Sequence, residues 1–133
     1  MILVDTSVLV DYFRGKDTLA VRRLDAMEAD EADFGIPLPC VQEILQGARN
    51  EAEWKRLRTL LIVQELVAPE DPLEAHLGAA RIYFDCRRKG LTVRSSLDCL
   101  IAQIVLERGD ELLHDDNDFE AIRKVRPLRT LRG

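Results

Sequence analysis

Acidic residues recur in this sequence where carboxylates can do chemistry. Asp5 ends the apolar run Ile2-Leu3-Val4, and Asp115, Asp116, Asp118 and Glu120 crowd into LLHDDNDFE behind Leu112 and Leu113. Like charges this close repel, so such a group either spreads into water or meets a cation. Two further acids lie inside apolar helical patterns. Asp98, in SSLDCLIAQIVLER, projects with Ala102 and Val105 and away from Glu107, and Glu43 shares its helix side with the small residues Cys40 and Gly47. Clustered acids without a partner raise one another's pKa and take up protons. Bound Mg2+ or Mn2+ removes that penalty, because hard divalent cations take carboxylate and water oxygens. Such a site activates water as a nucleophile and steadies the charge developing on a phosphodiester.

Taken singly, each acid also has an ordinary structural reading. Ser95-x-x-Asp98 fits a capping box, Glu43 reads as an exposed glutamate, and the acidic stretch reads as a solvated turn. What separates the two readings is whether the chain brings the acids together.

The elements that must position them alternate. Residues 2–4 read as a buried strand, followed by a helix from DTSVLVDYF capped by Thr6 or Ser7. A second helix covers 17–30, a short strand lies in ADFGIP, and Pro37 and Pro39 mark the entry to a helix over CVQEILQGA. EAEWKRLRTLLIVQ is amphipathic, LVAP is a strand, and 72–89 is a helix closed by Gly90. A helix over 95–108 has Leu97, Leu100, Ile101, Ile104 and Val105 as its core stripe and Gly109 as its stop. ELLH is a strand, a last helix follows Asp118, and LRTLR is a short strand or tail. Strands separated by helices imply a parallel sheet covered on both faces, an α/β sandwich, here one domain over 1–133. In open parallel sheets the functional crevice lies beyond the carboxyl ends of the strands. Asp5 and the pair Asp116 and Asp118 stand at two such ends, and they converge if those strands are neighbours.

Composition narrows the partners. With 47% hydrophobic and 32% charged residues over 133 positions, the chain suits one ordinary globular core. A formal net charge of −5 argues against nucleic-acid binding through bulk positive charge. Local basic groups remain at Arg87, Arg88, Lys89 and Arg94 and at Arg123, Lys124, Arg126, Arg129 and Arg132, as phosphate contacts or as a solvated face. Cys40, Cys86 and Cys99 are odd in number and far apart, the pattern of buried thiols in a reducing compartment. His76 and His114 lack the spacing of a helical metal pair, which disfavours zinc. No basic leader precedes MILV and no apolar run spans a bilayer, so the expectation is a cytoplasmic protein without a membrane partner.

At these residues the sequence resembles the PIN-domain nucleases, and specifically the VapC-type toxins of bacterial toxin–antitoxin pairs. ILVDTSVLVDYF, VQEILQGA, SSLDCLIAQIVLERG and ELLHDDNDFEAI stand in the family's order and spacing through nearly the whole chain. The resemblance implies a PIN-like three-layer α/β/α sandwich with a central, mostly parallel sheet. It also implies a metal-dependent endoribonuclease that uses Mg2+ or Mn2+ to cut RNA with activated water. The family's acids map onto Asp5, Glu43, Asp98 and Asp116, with Asp5, Asp98 and Asp116 as metal ligands and Glu43 as a ligand or water-holding base. Asp118 matches a further acid and joins the metal set. Thr6 and Ser7 match small hydroxyl residues that orient the first acid, although helix capping alone would explain them. His114 departs from the pattern: the family usually has Thr or Ser there, so the histidine holds Asp116, meets a phosphate or serves only the core.

Partners implied by the resemblance are an RNA substrate, a cognate VapB-type antitoxin and a second copy of the chain in a homodimer. Trp54, Leu57, Leu60 and Leu61 offer an apolar face for an antitoxin segment or for the chain's own core. The alternative is a PIN-fold RNA- or protein-binding module with weak or no nuclease activity. A haloacid-dehalogenase-like phosphatase needs an aspartate where Ser7 stands, and a calcium loop from Asp116 fails at Ala121 and Pro127.

Overall fold

Each short apolar run becomes a strand in the computed structural model, which describes residues 1–133. The strands are β1 (Ile2–Val4), β2 (Phe34–Pro37), β3 (Leu66–Val67), β4 (Glu111–His114) and β5 (Thr130–Arg132). Seven helices connect them: α1 (Thr6–Phe13), α2 (Leu19–Ala29), α3 (Leu38–Gln46), α4 (Glu51–Leu61), α5 (Pro72–Arg88), α6 (Ser96–Arg108) and α7 (Asn117–Arg123). The sheet order is β3-β2-β1-β4-β5. Every pairing is parallel, so the sheet expected to be mostly parallel is wholly so, and LRTLR contributes its edge strand.

This order places β1, from the start of the sequence, at the centre of the sheet with β4, from near its end, directly beside it. From β1 the chain steps outward through β2 and β3, and it returns to the other side of β1 with β4 and β5. The switch point therefore lies between β1 and β4, where Leu3 faces Leu112 and Val4 faces Leu113. These four residues are wholly inaccessible, as central parallel strands covered on both faces require. The ladder continues past the strand end, with the Asp5 amide donating to the Leu113 carbonyl at 2.9 Å.

One hydrophobic cluster of 26 residues runs from Leu3 to Leu128. Small residues let α5 lie close along α6: Ala75 and Ala79 are buried, and a Cβ on Gly78 would stand 2.4 Å from Cδ of Gln103. The buried stripe of α6 is Asp98, Cys99, Ile101, Ala102, Ile104 and Val105. Leu97 and Leu100, expected in that stripe, are only half-buried, because α6 is rotated to carry Asp98 inward. On α4, Leu57 and Leu61 join the core, whereas Trp54 stays 40% exposed. No helix is long and apolar enough to cross a membrane.

The packing at the switch point is measurable. Leu113→Ala should lower unfolding free energy by roughly 2–5 kcal/mol in urea titrations. Leu73→Ala, at a position 67% exposed, should change it by no more than about 0.5 kcal/mol.

Candidate metal centre

Two of the acids are helix caps, which explains how carboxylates come to stand at these strand ends. Asp5 keeps an extended backbone and accepts the Ser7 amide on Oδ2 at 2.9 Å, capping α1. Neither Thr6 nor Ser7 is the cap, contrary to the expectation; both lie inside the first turn, and their hydroxyls are free for other work. The Ser7 hydroxyl donates to Asp5 Oδ2 at 2.6 Å and accepts from the Asp115 amide at 3.0 Å, tying the end of β1 to the turn after β4. Thr6 Oγ1 donates to Glu43 Oε1 at 3.0 Å. Glu43 is therefore a half-buried, anchored side chain rather than a free surface glutamate.

Asp116 caps α7, accepting the Asp118 amide on Oδ1 at 2.8 Å, so the last helix starts before Asp118 rather than after it. Asp118 faces the entry to α6. Its Oδ1 takes the Arg94 amide at 3.0 Å and its Oδ2 takes the Ser95 amide at 2.9 Å. The capping box expected of Ser95 and Asp98 does not form, since the Ser95 side chain makes no capping bond and Asp118 satisfies these amides instead. Asp98 is thereby spared for the interior, at 4% exposure.

The structure thus brings all five acids to the carboxyl ends of β1 and β4. Oxygens of Asp98, Asp116 and Asp118 lie within 4.8 Å of one another, as do ligand atoms of Asp5, Cys40 and Glu43. The charges feel each other across both groups. Burial pushes the Asp98 carboxyl up to about 9, helped by the charge of Asp5, a hydrogen bond with Asp118 and the charges of Asp116 and Glu43. Burial also raises Asp5 to about 6 against the hydrogen bonds from Ser7. Glu43 is raised by burial first, with Thr6 opposing and the charge of Asp116 adding to it.

The donor set fits a hard cation. Asp5 Oδ1 and Asp98 Oδ2 are buried without any hydrogen-bond partner, an arrangement that costs free energy unless something binds them. Cys40 adds no soft thiolate, because burial holds its thiol well above the usual range. What remains is carboxylate oxygen, suited to Mg2+ or Mn2+.

His114 does not face this space. It is fully buried and stacks at a tilt on Phe119, with ring centroids 5.0 Å apart, so it meets no phosphate. Its Nδ1 accepts the Asp116 amide at 3.1 Å, which leaves the proton on Nε2, 3.4 Å from Glu120 Oε1. Burial lowers its pKa, keeping the ring neutral and Nδ1 an acceptor. An acceptor two residues before the capping acid does what a Ser or Thr hydroxyl does in such a turn. Glu120, read as an ordinary surface acid, is the residue facing Nε2, and no spacing rule would have paired it with a histidine six positions earlier.

A wholly parallel five-stranded sheet with buried acids at its switch point is the setting in which the family comparison falls. The PIN-domain family model matches residues 2–125, and the chain belongs to the PIN-domain family. Among its relatives, Ribonuclease VapC11 of Mycobacterium tuberculosis is 38% identical over 132 residues, covering 97% of this chain and 96% of that protein. VapC ribonuclease Mb1587 of Mycobacterium bovis matches to the same extent. In fold, the chain is similar to VapBC2 from Rickettsia felis bound to a promoter DNA fragment, with a TM-score of 0.76 at 16% identity and coverage of 100% of this chain and 99% of that one.

The raised acids make metal-free stability depend on pH. Asp98 holds a proton in the folded state up to about 9 but releases it near 4 when unfolded. Between those values the folded state binds more protons, so stability falls as pH rises. In the metal-free protein, Asp98→Asn should therefore melt higher than wild type at pH 8 and converge with it near pH 4. A wild-type melting temperature that climbs from pH 5 to pH 8 more steeply than that of the variant would contradict this.

Proposed function

We propose that the chain is a divalent-metal-dependent endoribonuclease, the toxin of a toxin–antitoxin pair, acting as one domain through Asp5, Asp98, Asp116 and Glu43. The observation that carries this reading is the pair of buried, unpartnered oxygens, Asp5 Oδ1 and Asp98 Oδ2, in a carboxylate-rich cluster at the switch point. Relatives 38% identical over 97% of the chain and named ribonucleases support RNA as the substrate. Fold neighbours solved as VapBC complexes support a VapB-type antitoxin as partner, and the same reading has the chain form a homodimer within that complex.

Asp5, Asp98 and Asp116 would hold the cation, Mg2+ or Mn2+. When bound, it supplies Lewis acidity, lowering the pKa of water and neutralising charge on the phosphodiester. The side chains do the rest. Ser7 fixes Asp5 through Oδ2 and leaves Oδ1 free, while the His114 ring and the α7 cap hold Asp116. Asp118 serves from behind, locking the start of α6 so that Asp98 stays aimed inward. Glu43, anchored by Thr6 and raised in pKa, is suited to take the proton of the attacking water. The P–O bond to the leaving ribose oxygen then breaks, and that oxygen is protonated from solvent.

The deciding experiment measures cleavage of a structured RNA with Mg2+, Mn2+ or chelator. Asp5→Asn and Asp98→Asn should each lose at least about 100-fold in rate, and Ser7→Ala, which removes the hydroxyl bound to Asp5 Oδ2 and the acceptor of the Asp115 amide, about tenfold. Full cleavage in chelator, or aspartate variants as active as wild type, would remove this reading.

A further inference from the structure

Near the C-terminal end of α5, Phe84 leaves 38% of its surface in solvent. Three guanidinium groups surround its ring, with Arg81 at 5.0 Å, Arg88 at 5.6 Å and Arg87 at 5.8 Å from the centroid. All lie within the roughly 6 Å over which a ring quadrupole attracts a cation. Their charges are unevenly answered. Arg81 reaches Asp85 at 3.1 Å, and Asp85 is also taken by Arg126 at 2.9 Å, while Arg87 and Arg88 pair with no carboxylate.

Arginines in a last helical turn favour the macrodipole, and that role accounts for Arg87 and Arg88 singly. It gives no reason to keep a phenyl ring exposed among them. A part-exposed ring flanked by two unpaired cations is complementary to one ligand chemistry in particular: an unpaired nucleobase to stack, with phosphates beside it. An acidic peptide would answer the charges but offers no flat π-face to the ring. The patch also leads to the acidic centre. Arg94 lies six positions beyond Arg88, a span of roughly 20 Å at most, and the amides of Arg94 and Ser95 are those bound by Asp118.

We propose that this face of α5 is a single-stranded RNA platform, with Phe84 stacking a base and Arg87 and Arg88 holding the adjacent phosphates. It rests on the RNA-cleaving reading above and extends it to where the substrate strand is held. In a chain of net charge −5, a concentrated patch of this kind supplies the attraction that overall charge does not.

The test is fluorescence anisotropy of the full chain, in EDTA so that nothing is cut, with one labelled RNA presented as a single strand and as a duplex. Phe84→Ala should weaken single-strand binding about tenfold and leave duplex binding unchanged, since only unpaired bases stack. The double variant Arg87→Gln, Arg88→Gln should weaken both and reduce the slope of log affinity against log salt by about 1.4 for single strands. Wild-type melting temperatures would establish that both variants fold. Single-strand affinity equal to wild type in both variants overturns the proposal, as does a double variant that keeps RNA affinity but loses an acidic peptide. Cleavage is read separately with metal present. A wild type that binds through the patch and never cuts removes the nuclease reading alone, and cutting with unaltered affinity in the variants removes the platform alone.

Discussion

The pairing of β1 with β4 sets a problem that much of the remaining structure answers: it drives carboxylates from opposite ends of the chain into a shared, poorly solvated space. Like charges in such a place would expel one another or unfold the strand ends. The fold meets them with peptide dipoles. Asp5 caps α1, Asp116 caps α7, and Asp118 binds the amides leading into α6, so the positive ends of three helices point at one cluster. Each of these helices is thereby both a spacer between strands and a partial counter-charge. The compensation is incomplete by two oxygens, those of Asp5 and Asp98 that accept nothing, and incompleteness of this kind in a buried site is characteristic of function rather than of stability.

Much of this was legible along the chain because it rests on local patterns. Apolar runs bounded by glycine, proline and acids located four of the five strands and left LRTLR open as strand or tail, and helical spacing located the helices to within a few residues. The caps were not legible. Asp-Thr-Ser offers three capping residues in a row, and which one caps depends on where strand geometry ends, which is set by the β4 partner of Asp5. The role of Asp118 was hidden for a similar reason: its partners, the amides of Arg94 and Ser95, lie more than twenty positions away and carry no side-chain signature. Ser95 and Asp98 spelled a plausible capping box, and only the tertiary contact with Asp118 relieved Asp98 of that task. The orientation of α6 followed the same logic, with an acid buried at the expense of two leucines that periodicity would have placed inside.

His114 shows how a departure from a family pattern can preserve the pattern's physics. The turn needs an acceptor for the Asp116 amide, and an imidazole supplies one only if it is neutral and its proton sits on the far nitrogen. Burial against Phe119 favours the first condition, and the Asp116 amide donating to Nδ1 meets the second by leaving the single proton of the neutral ring on Nε2. A hydroxyl could accept the same bond without either support.

Stability and function are set against each other in the same side chains. With Asp98 holding a proton up to about 9 and Asp5 up to about 6, the metal-free centre at neutral pH is a mixture of neutral and charged acids whose full ionisation the fold resists. A divalent cation that binds the ionised cluster must displace at least the Asp98 proton, so its affinity rises with pH over the same range in which the metal-free fold weakens. The two dependences have one origin, the desolvation of carboxylates at the switch point. Relieving it by filling the centre with apolar residues would give a more stable protein and leave nothing there to bind a cation.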